Sequence, residues 1–415
     1  MRRGSLLWIL DLAPGPNGAT LRFLHFSKCL REAGFSVHFA VSAWSYDQDQ
    51  LDGLVKEGWI DGFSKLNTYR AVGARNALSR VFLLPSLRNW IMEGVQAPAQ
   101  EELLDLVRRC RATVCVISNK DSLFSVRALA RTIRVVIDWC DCATLYYWRA
   151  LVQSIRSRSW KEIPERLGEG LRLFLIERYY PKLAHANIVV SPADQRAFQR
   201  ICPGAADLRV VLNGVDSSGK ARGGAKIKDR LIFSGRMDFP PNYEGALWFI
   251  DHVLPVLRKR NPSLHLVLAG AHPALQLKSR ESDFIRITGF VPDMCEELAR
   301  ASLYVAPLIS GTGFKNKVFE ALAAGTAVVG TPFAAEFLPV ELNQVVRVAR
   351  SAEEFADTVL KALEHPDLLE QEVAEAQRFL ELNCSWQART RDLLALVDPP
   401  EASEGAPRAV ELSSR

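Results

Sequence analysis

The stretch YVAPLISGTGFKNKVFEALAAGTAVVGT, Tyr304 to Thr331, decides the fold. It reads as strand, glycine-bearing turn, helix and second strand, with no residues to spare. Tyr304–Leu308 is an apolar run of strand length, and Ala327–Gly330 is a small β-branched one. Between them, Gly311 and Gly313 let the backbone take a positive φ and bring its N–H groups close to a ligand. The helix that follows adds its dipole and its unpaired N–H groups at the same spot, which suits a phosphate. Lys315 and Lys317 supply charge there, and Glu320 stands about one helical turn further in. A carboxylate accepts only, so it does not serve the phosphate; it suits a sugar diol whose two hydroxyls donate to it. Phosphate and diol side by side make a site for a sugar nucleotide. A βαβ unit with a Gly-rich turn also occurs in α/β proteins for structural reasons alone, so the rest of the chain must decide.

At 415 residues the chain exceeds one comfortable core, which predicts two domains. A hydrophobic content of 48% with 24% charged residues is that of a globular protein. The net charge of +5 fits anionic substrates or an anionic membrane surface, and no fold motif for nucleic acid accompanies it. Of eight cysteines only Cys140 and Cys142 form a C-x-C, and no second pair stands at zinc spacing. No metal site is expected, and reduced thiols point to the cytoplasm. The N-terminal MRRGSLLWILDLAPG starts like a signal peptide, but Asp11 interrupts the apolar run. Leu6–Leu12 therefore reads as a first buried strand. No stretch approaches the roughly 20 apolar residues of a membrane-spanning helix.

The first half alternates strands and helices. Ala19–Ala33 reads as a helix ended by Gly34, Ser36–Ser42 as a strand, Thr113–Ser118 and Val135–Asp138 as strands with Ser122–Arg131 helical between them. Leu145–Leu183 reads as long helical material, followed by a strand at Asn187–Ser191. A segment rich in Gly, Ser and Lys, residues 213–229, then breaks the composition as a linker does. The rhythm restarts with strands Leu231–Gly235, His265–Ala269 and Phe284–Thr288 and helices Glu244–Arg260 and Met294–Ala301. Helices Glu353–Ala362, Leu369–Leu382 and Ser385–Val397 follow, and 398–415 reads as a disordered tail. The fold expected is α/β: two facing Rossmann-like, doubly wound domains. They occupy 1–212 and 230–383, with a crossover helix at 384–397 returning to the first. Ligands in such sheets bind beyond the carboxyl ends of the strands.

At this level of detail the sequence resembles a known family. VVLNGVD at Val210–Asp216, FSGRMDFPPNYEGALWF at Phe233–Phe249 and LVLAGAHP at Leu266–Pro273 are similar to motifs of the GT-B glycosyltransferases of the large retaining family called group 1 or family 4. TGFVPD at Thr288–Asp293 and the stretch from Ala306 to Thr331 match in the same order, as do SPADQRAF at Ser191–Phe198 and Ser385-Trp386. The likeness is nearest to the bacterial branch of exopolysaccharide and cell-surface glycan assembly.

The resemblance implies a hexosyltransferase that takes a nucleotide sugar, UDP- or GDP-linked, with no cofactor and no metal. The acceptor is a glycan or a lipid-linked oligosaccharide, which allows peripheral contact with the inner face of the membrane. Glu320 matches the glutamate that holds the ribose hydroxyls, and Arg236 the basic residue that neutralises the diphosphate. Gly311, Thr312 and Gly313, with Phe314 beside them, line the phosphate end, while Phe290 and Val291 lie on the loop flanking the base. Two departures stand out. Many relatives carry a first glutamate where this chain has Thr312, and many place a lysine shortly after Arg236, where Pro240, Pro241 and Asn242 stand here. Lys315 or Lys317 can take over that charge. A non-catalytic partner that binds a nucleotide sugar is the alternative these departures keep open.

In the first half, Gly15 and Gly18 of the PGPNG loop are candidates for the donor phosphate, with a plain βα turn as the other reading. Arg22 behind them either reaches a phosphate or is solvated. Asp138 and Asp141 end a strand, and one of them can orient the acceptor hydroxyl or act as base, the other capping the next helix. His25, His38 and His185 stand at no evident post-strand loop. The segment Tyr146–Lys161 mixes aromatics with arginines, as either a solvated helix face or a surface for an anionic membrane.

Overall fold

The computed structural model describes residues 3–10, 18–42, 46–70, 96–98, 100–118, 121–156, 158–216, 225–310, 314–336, 338–342 and 345–398. Contacts divide the chain into two units. The first comprises Met1–Asp138, Pro181–Ile188 and Arg389–Arg415; the second comprises Trp139–Tyr180 and Val189–Ala388.

The first sheet is built on β1 (Gly4–Leu10), whose LLWIL core is buried on both faces as a central parallel strand requires. Beside it lie β2 (Phe35–Ser42) and β3 (Gly62–Leu66); a separate antiparallel pair joins β4 (Thr68–Arg70) to β5 (Gln96–Pro98). With β6 (Val114–Ser118), β7 (Arg134–Asp138), β8 (Ala186–Val189) and β9 (Leu208–Val210) the order is β3-β2-β1-β6-β7-β8-β9. The pairs from β3 through β8 are parallel. Trp8 is fully buried in this sheet, edge-on to Phe39, and its Nε1 donates to Ser118 Oγ at 2.9 Å. Helix α1 (Gly18–Glu32) is closed by Gly34 at φ 99°, a left-handed residue past the helix end. Helices α2 (Gln48–Lys56) and α3 (Gln100–Cys110) complete the alternation.

In the second unit, α4 (Ala143–Arg156) and α5 (Ile163–Tyr179) form a helical hairpin, followed by α6 (Pro192–Ile201). The second sheet holds β10 (Ile227–Ser234), β11 (His265–Ala269), β12 (Ile285–Gly289), β13 (Ala301–Ala306), β14 (Val328–Gly330) and β15 (Val346–Val348). Its order is β12-β11-β10-β13-β14-β15, all parallel. That is the doubly wound order whose direction reverses between the first and fourth strands. Helices α7 (Pro240–Trp248) and α8 (Asn316–Ala323) leave the strands on either side of that reversal. Helix α9 (Trp386–Val397) ends the described chain; from Arg389 it counts with the first unit, where Arg134 Nε donates to Leu396 O at 2.6 Å.

Several expected boundaries move, each for a visible reason. The strand expected at Tyr304–Leu308 runs Ala301–Ala306, because Pro307 has no N–H with which to continue a ladder. The helix expected at Glu244–Arg260 starts at Pro240, since prolines are at home in a first helical turn. It then widens into a π turn at Phe249–Val253 before Leu254–Arg260, where Pro255 cannot donate. The long helical run expected over Leu145–Leu183 is two helices. The segment expected as helix at Ser122–Arg131 is a 3-10 turn, Asp121–Ser125, and one short α turn, Val126–Leu129. The tail at 399–415 lies outside the described residues.

Candidate functional site

The loops that follow β10 and β11 and the end of β12 are joined into one floor. Gly235 N donates to Ala269 O at 3.0 Å, Met237 N to Ala271 O at 2.9 Å and Gly270 N to Gly289 O at 3.1 Å. The approach is so close that a Cβ on Gly270, at φ 148°, would fall 1.8 Å from Gly235 O. No residue with a side chain fits there. On the other side, a Cβ on Gly245 of α7 would meet Pro307 O at 2.5 Å, so this helix is pressed against the loop after β13. The ends of β10 and β13 thus meet at the order reversal, where open α/β sheets bind ligands.

Helix α8 opens here with Lys315 as its N-cap residue, whose side chain makes no capping bond, so among the described residues the helix start is not closed by its own cap. Lys317 stands against the floor. Its Nζ bonds Asn242 Oδ1, lies 4.8 Å from the Phe233 ring centroid and would be 2.8 Å from a Cβ on Gly235. Asn242 Nδ2 in turn donates to Arg236 O at 2.8 Å. Asn242, in the stretch where relatives place a lysine, thereby holds a lysine supplied from α8. Desolvation, reinforced by Lys315 and opposed by Glu320, pushes the Lys317 ammonium down to about 7. Glu320, half-buried, has its carboxyl raised by desolvation against the pull of Lys317. Cation and carboxylate sit within one turn of one helix, as the sequence predicts.

Lys315 looks elsewhere. It is buried, and its ammonium is pushed down to about 8 by desolvation, with Glu336, Asp141 and Asp194 opposing that shift and Arg149 adding to it. Arg149 makes a two-pronged pair with Glu336 at 2.6 and 3.0 Å. The two lysines, interchangeable in sequence, therefore serve different neighbourhoods. Arg236 is exposed and aligned by Asp238, Nε to Oδ1 2.7 Å and an outer nitrogen to Oδ2 2.9 Å. Phe290, past the end of β12, is 69% exposed, an apolar ring available for stacking; Val291 beside it is half-buried. Phe314 is half-buried and stacks on Phe319 at 4.4 Å between centroids. Gly311, Thr312, Gly313 and Gly15 lie outside the described residues, and Gly18 opens α1.

The two candidate carboxylates have different environments. Asp138, in the first unit, is buried with Arg22, whose Nε donates to its Oδ2 at 2.9 Å. Arg22 is thus not a solvated surface residue; it also lies 4.9 Å from the Phe26 ring centroid. Asp141, in the second unit, keeps contact with solvent. Desolvation by surrounding protein and the Asp194 carboxylate push it up to about 6, against its own backbone N–H and Lys315. Asp194 is buried, accepts from Cys142 N at 3.0 Å and bonds the Ser191 hydroxyl that caps α6. Glu177 caps α4 from 34 residues away, accepting from Ala143 N at 2.7 Å and Thr144 N at 3.1 Å. Desolvation pushes its carboxyl up to about 7. Of the histidines, His185 Nδ1 accepts from Val135 N at 3.1 Å and His38 bonds Ser64 Oγ at 3.0 Å.

Asn242, Glu244, Arg149 and Glu336 are functional candidates that sequence reasoning passed over. Asn242 and Glu244 were within reach, since both lie in the FPPNYEG motif after β10; Glu244 accepts from Ser310 Oγ at 3.3 Å. Arg149 and Glu336 are 187 residues apart, and nothing local couples them.

Residues 228–365 match the family model described as "Glycosyl transferases group 1". Phosphatidyl-myo-inositol mannosyltransferase of Mycobacterium tuberculosis is 31% identical over 180 residues, 40% of this chain and 47% of that protein. The chain thus spans about half the length of the curated relatives it matches. Among solved structures, HepE of Anabaena in complex with UDP and glucose is similar at TM-score 0.65 and 13% identity, over 96% of this chain and 100% of that one. Sucrose-phosphate synthase of Thermosynechococcus elongatus is similar at TM-score 0.62 and 14% identity, over 95% and 98%. The chain has the GT-B fold, and within it residues 228–365 are similar to a group 1 glycosyl transferase domain.

Proposed function

We propose that the protein is a glycosyltransferase that moves a hexose from a nucleoside diphosphate sugar to a glycan or lipid-linked acceptor. The observation that carries this reading is the arrangement on α8. Glu320 and Lys317 sit one turn apart at the order reversal of the second sheet, over a glycine floor that excludes side chains. In this reading Glu320 accepts from the ribose diol, and Phe290 covers the base. Lys317, Arg236 and the first N–H groups of α8 receive the charge that develops on the departing diphosphate. The HepE complexes with UDP and glucose and the mannosyltransferase likeness support a nucleotide sugar as donor. A route with retention, without metal, in polysaccharide or cell-surface glycan assembly belongs to the same proposal.

Of the two strand-end carboxylates, Asp141 is assigned to the acceptor hydroxyl. It is open to solvent and its carboxyl is raised to about 6, which leaves it a carboxylate at neutral pH that can accept a proton, whereas Asp138 is bonded to Arg22. The test is incubation of the full chain with radiolabelled UDP- and GDP-sugars, following release of the nucleoside diphosphate. Turnover that disappears in Glu320→Gln supports the reading. Nucleotide binding that depends on Glu320 without turnover on any donor replaces it by a non-catalytic partner. Tight binding of NADH in place of sugar nucleotides overturns it.

A further inference from the structure

The hairpin of α4 and α5 carries an exposed apolar surface that the transfer reading leaves unused. Five of the eleven large apolar side chains most exposed among the described residues fall between Trp148 and Leu171. Trp148 and Trp160 are 63% and 64% exposed. Trp148 and Ile155 are seven residues apart on α4, and Leu167 and Leu171 four apart on α5, so each pair lies on one helical face. Basic residues outnumber acidic ones along the same hairpin. Residues 143–180 hold seven Arg or Lys against four Asp or Glu, and Arg156, Arg158 and Lys161 are all exposed near the turn between the helices.

We infer that this hairpin is a docking surface for an anionic lipid bilayer. The chemistry favours lipid over a protein partner for two reasons. Protruding single side chains among arginines and lysine suit a headgroup layer, where Trp rings and aliphatic chains enter and cations stay with phosphates. A protein interface of standard size instead gathers its apolar residues into a core from which charges are depleted. The hairpin is held at its base, where Arg149 pairs with Glu336 and Glu177 caps α4, so its exposed faces are presented on a fixed support. No helix among the described residues is long and apolar enough to cross a membrane, so the contact is one of surface residence. This inference stands apart from the transfer reading, because it concerns lipid binding in the absence of any donor.

The test is co-sedimentation of the full chain with vesicles, either phosphatidylcholine alone or phosphatidylcholine mixed with phosphatidylglycerol, at low and high salt. Binding to the anionic vesicles that weakens with salt is the expected result. The triple variant Arg156→Gln/Arg158→Gln/Lys161→Gln should lower partitioning on the order of a hundredfold, counting each cation near the surface separately. Trp148→Gln/Trp160→Gln should lower it as well, with the same melting temperature as the unaltered chain. Equal binding to neutral vesicles, no binding, or full retention in the triple variant overturns the inference. So does a dimer in solution that the Trp double variant abolishes, which would assign the face to a second copy of the chain.

Discussion

Replacing Asp138 with Asn separates a structural role from a chemical one. Arg22 and Asp138 are both almost fully buried, 2% and 3% exposed, and bonded at 2.9 Å. Removing the carboxylate takes its counter-ion from a guanidinium buried in the first unit. Breaking such a pair costs about 3–5 kcal/mol, because a desolvated charge loses the opposite charge beside it. For a domain of this size each kcal/mol moves the midpoint by roughly 2–4 °C, so even the lower bound lowers the melting temperature by about 6–12 °C. Hydrogen exchange should localise the loss to β1, β6 and β7. The double variant Arg22→Met/Asp138→Leu removes both charges and should recover most of the midpoint, since buried pairs are often replaced by apolar residues at little cost. If Asp138→Asn melts within about 1 °C of the unaltered chain while turnover collapses, the reasoning is refuted. The carboxylate would then be working on substrate.

Glu320→Gln should weaken nucleotide-sugar binding about 10- to 150-fold, the worth of hydrogen bonds to a charged group, with little change in melting; titration calorimetry checks the binding and a thermal melt the midpoint. Lys317 gives a pH signature. Its ammonium is depressed to about 7, below the roughly 10.4 of an unfolded lysine, so between those values the unfolded chain binds more protons and stability rises with pH. Lys317→Met should therefore stabilise the protein below pH 7 and flatten that rise, as read from denaturant midpoints across the pH range. Gly270→Ala places a methyl group 1.8 Å from Gly235 O at φ 148° and should cost about 3 kcal/mol or more, seen as a lower midpoint and lost nucleotide binding.

The element order was legible because β1, the second half of β10 and β11 carry apolar runs (Leu6–Leu10, Leu231–Phe233 and Leu266–Ala269) followed by Gly or Pro, the signature of strands buried on both faces. Glu320 and Lys317 were legible because a helix following a glycine turn fixes what stands one turn in. What escaped was long-range. Glu177 capping α4, Arg22 meeting Asp138 across 116 residues, and Lys317 seated on Asn242 across 75 all depend on which elements pack together. Periodicity does not encode that. The division of labour between Lys315 and Lys317 is the clearest instance: two lysines two residues apart, separated only by the neighbours each one meets.

The floor made by the loops after β10 and β11 and the end of β12 also bears on rates. Backbone groups already hydrogen-bonded to one another have little to rearrange when a ligand arrives, so capture should be governed by encounter. Competing nucleotides would then reach this end at similar speeds and differ in how long they stay, with residence time as the quantity that selects the donor.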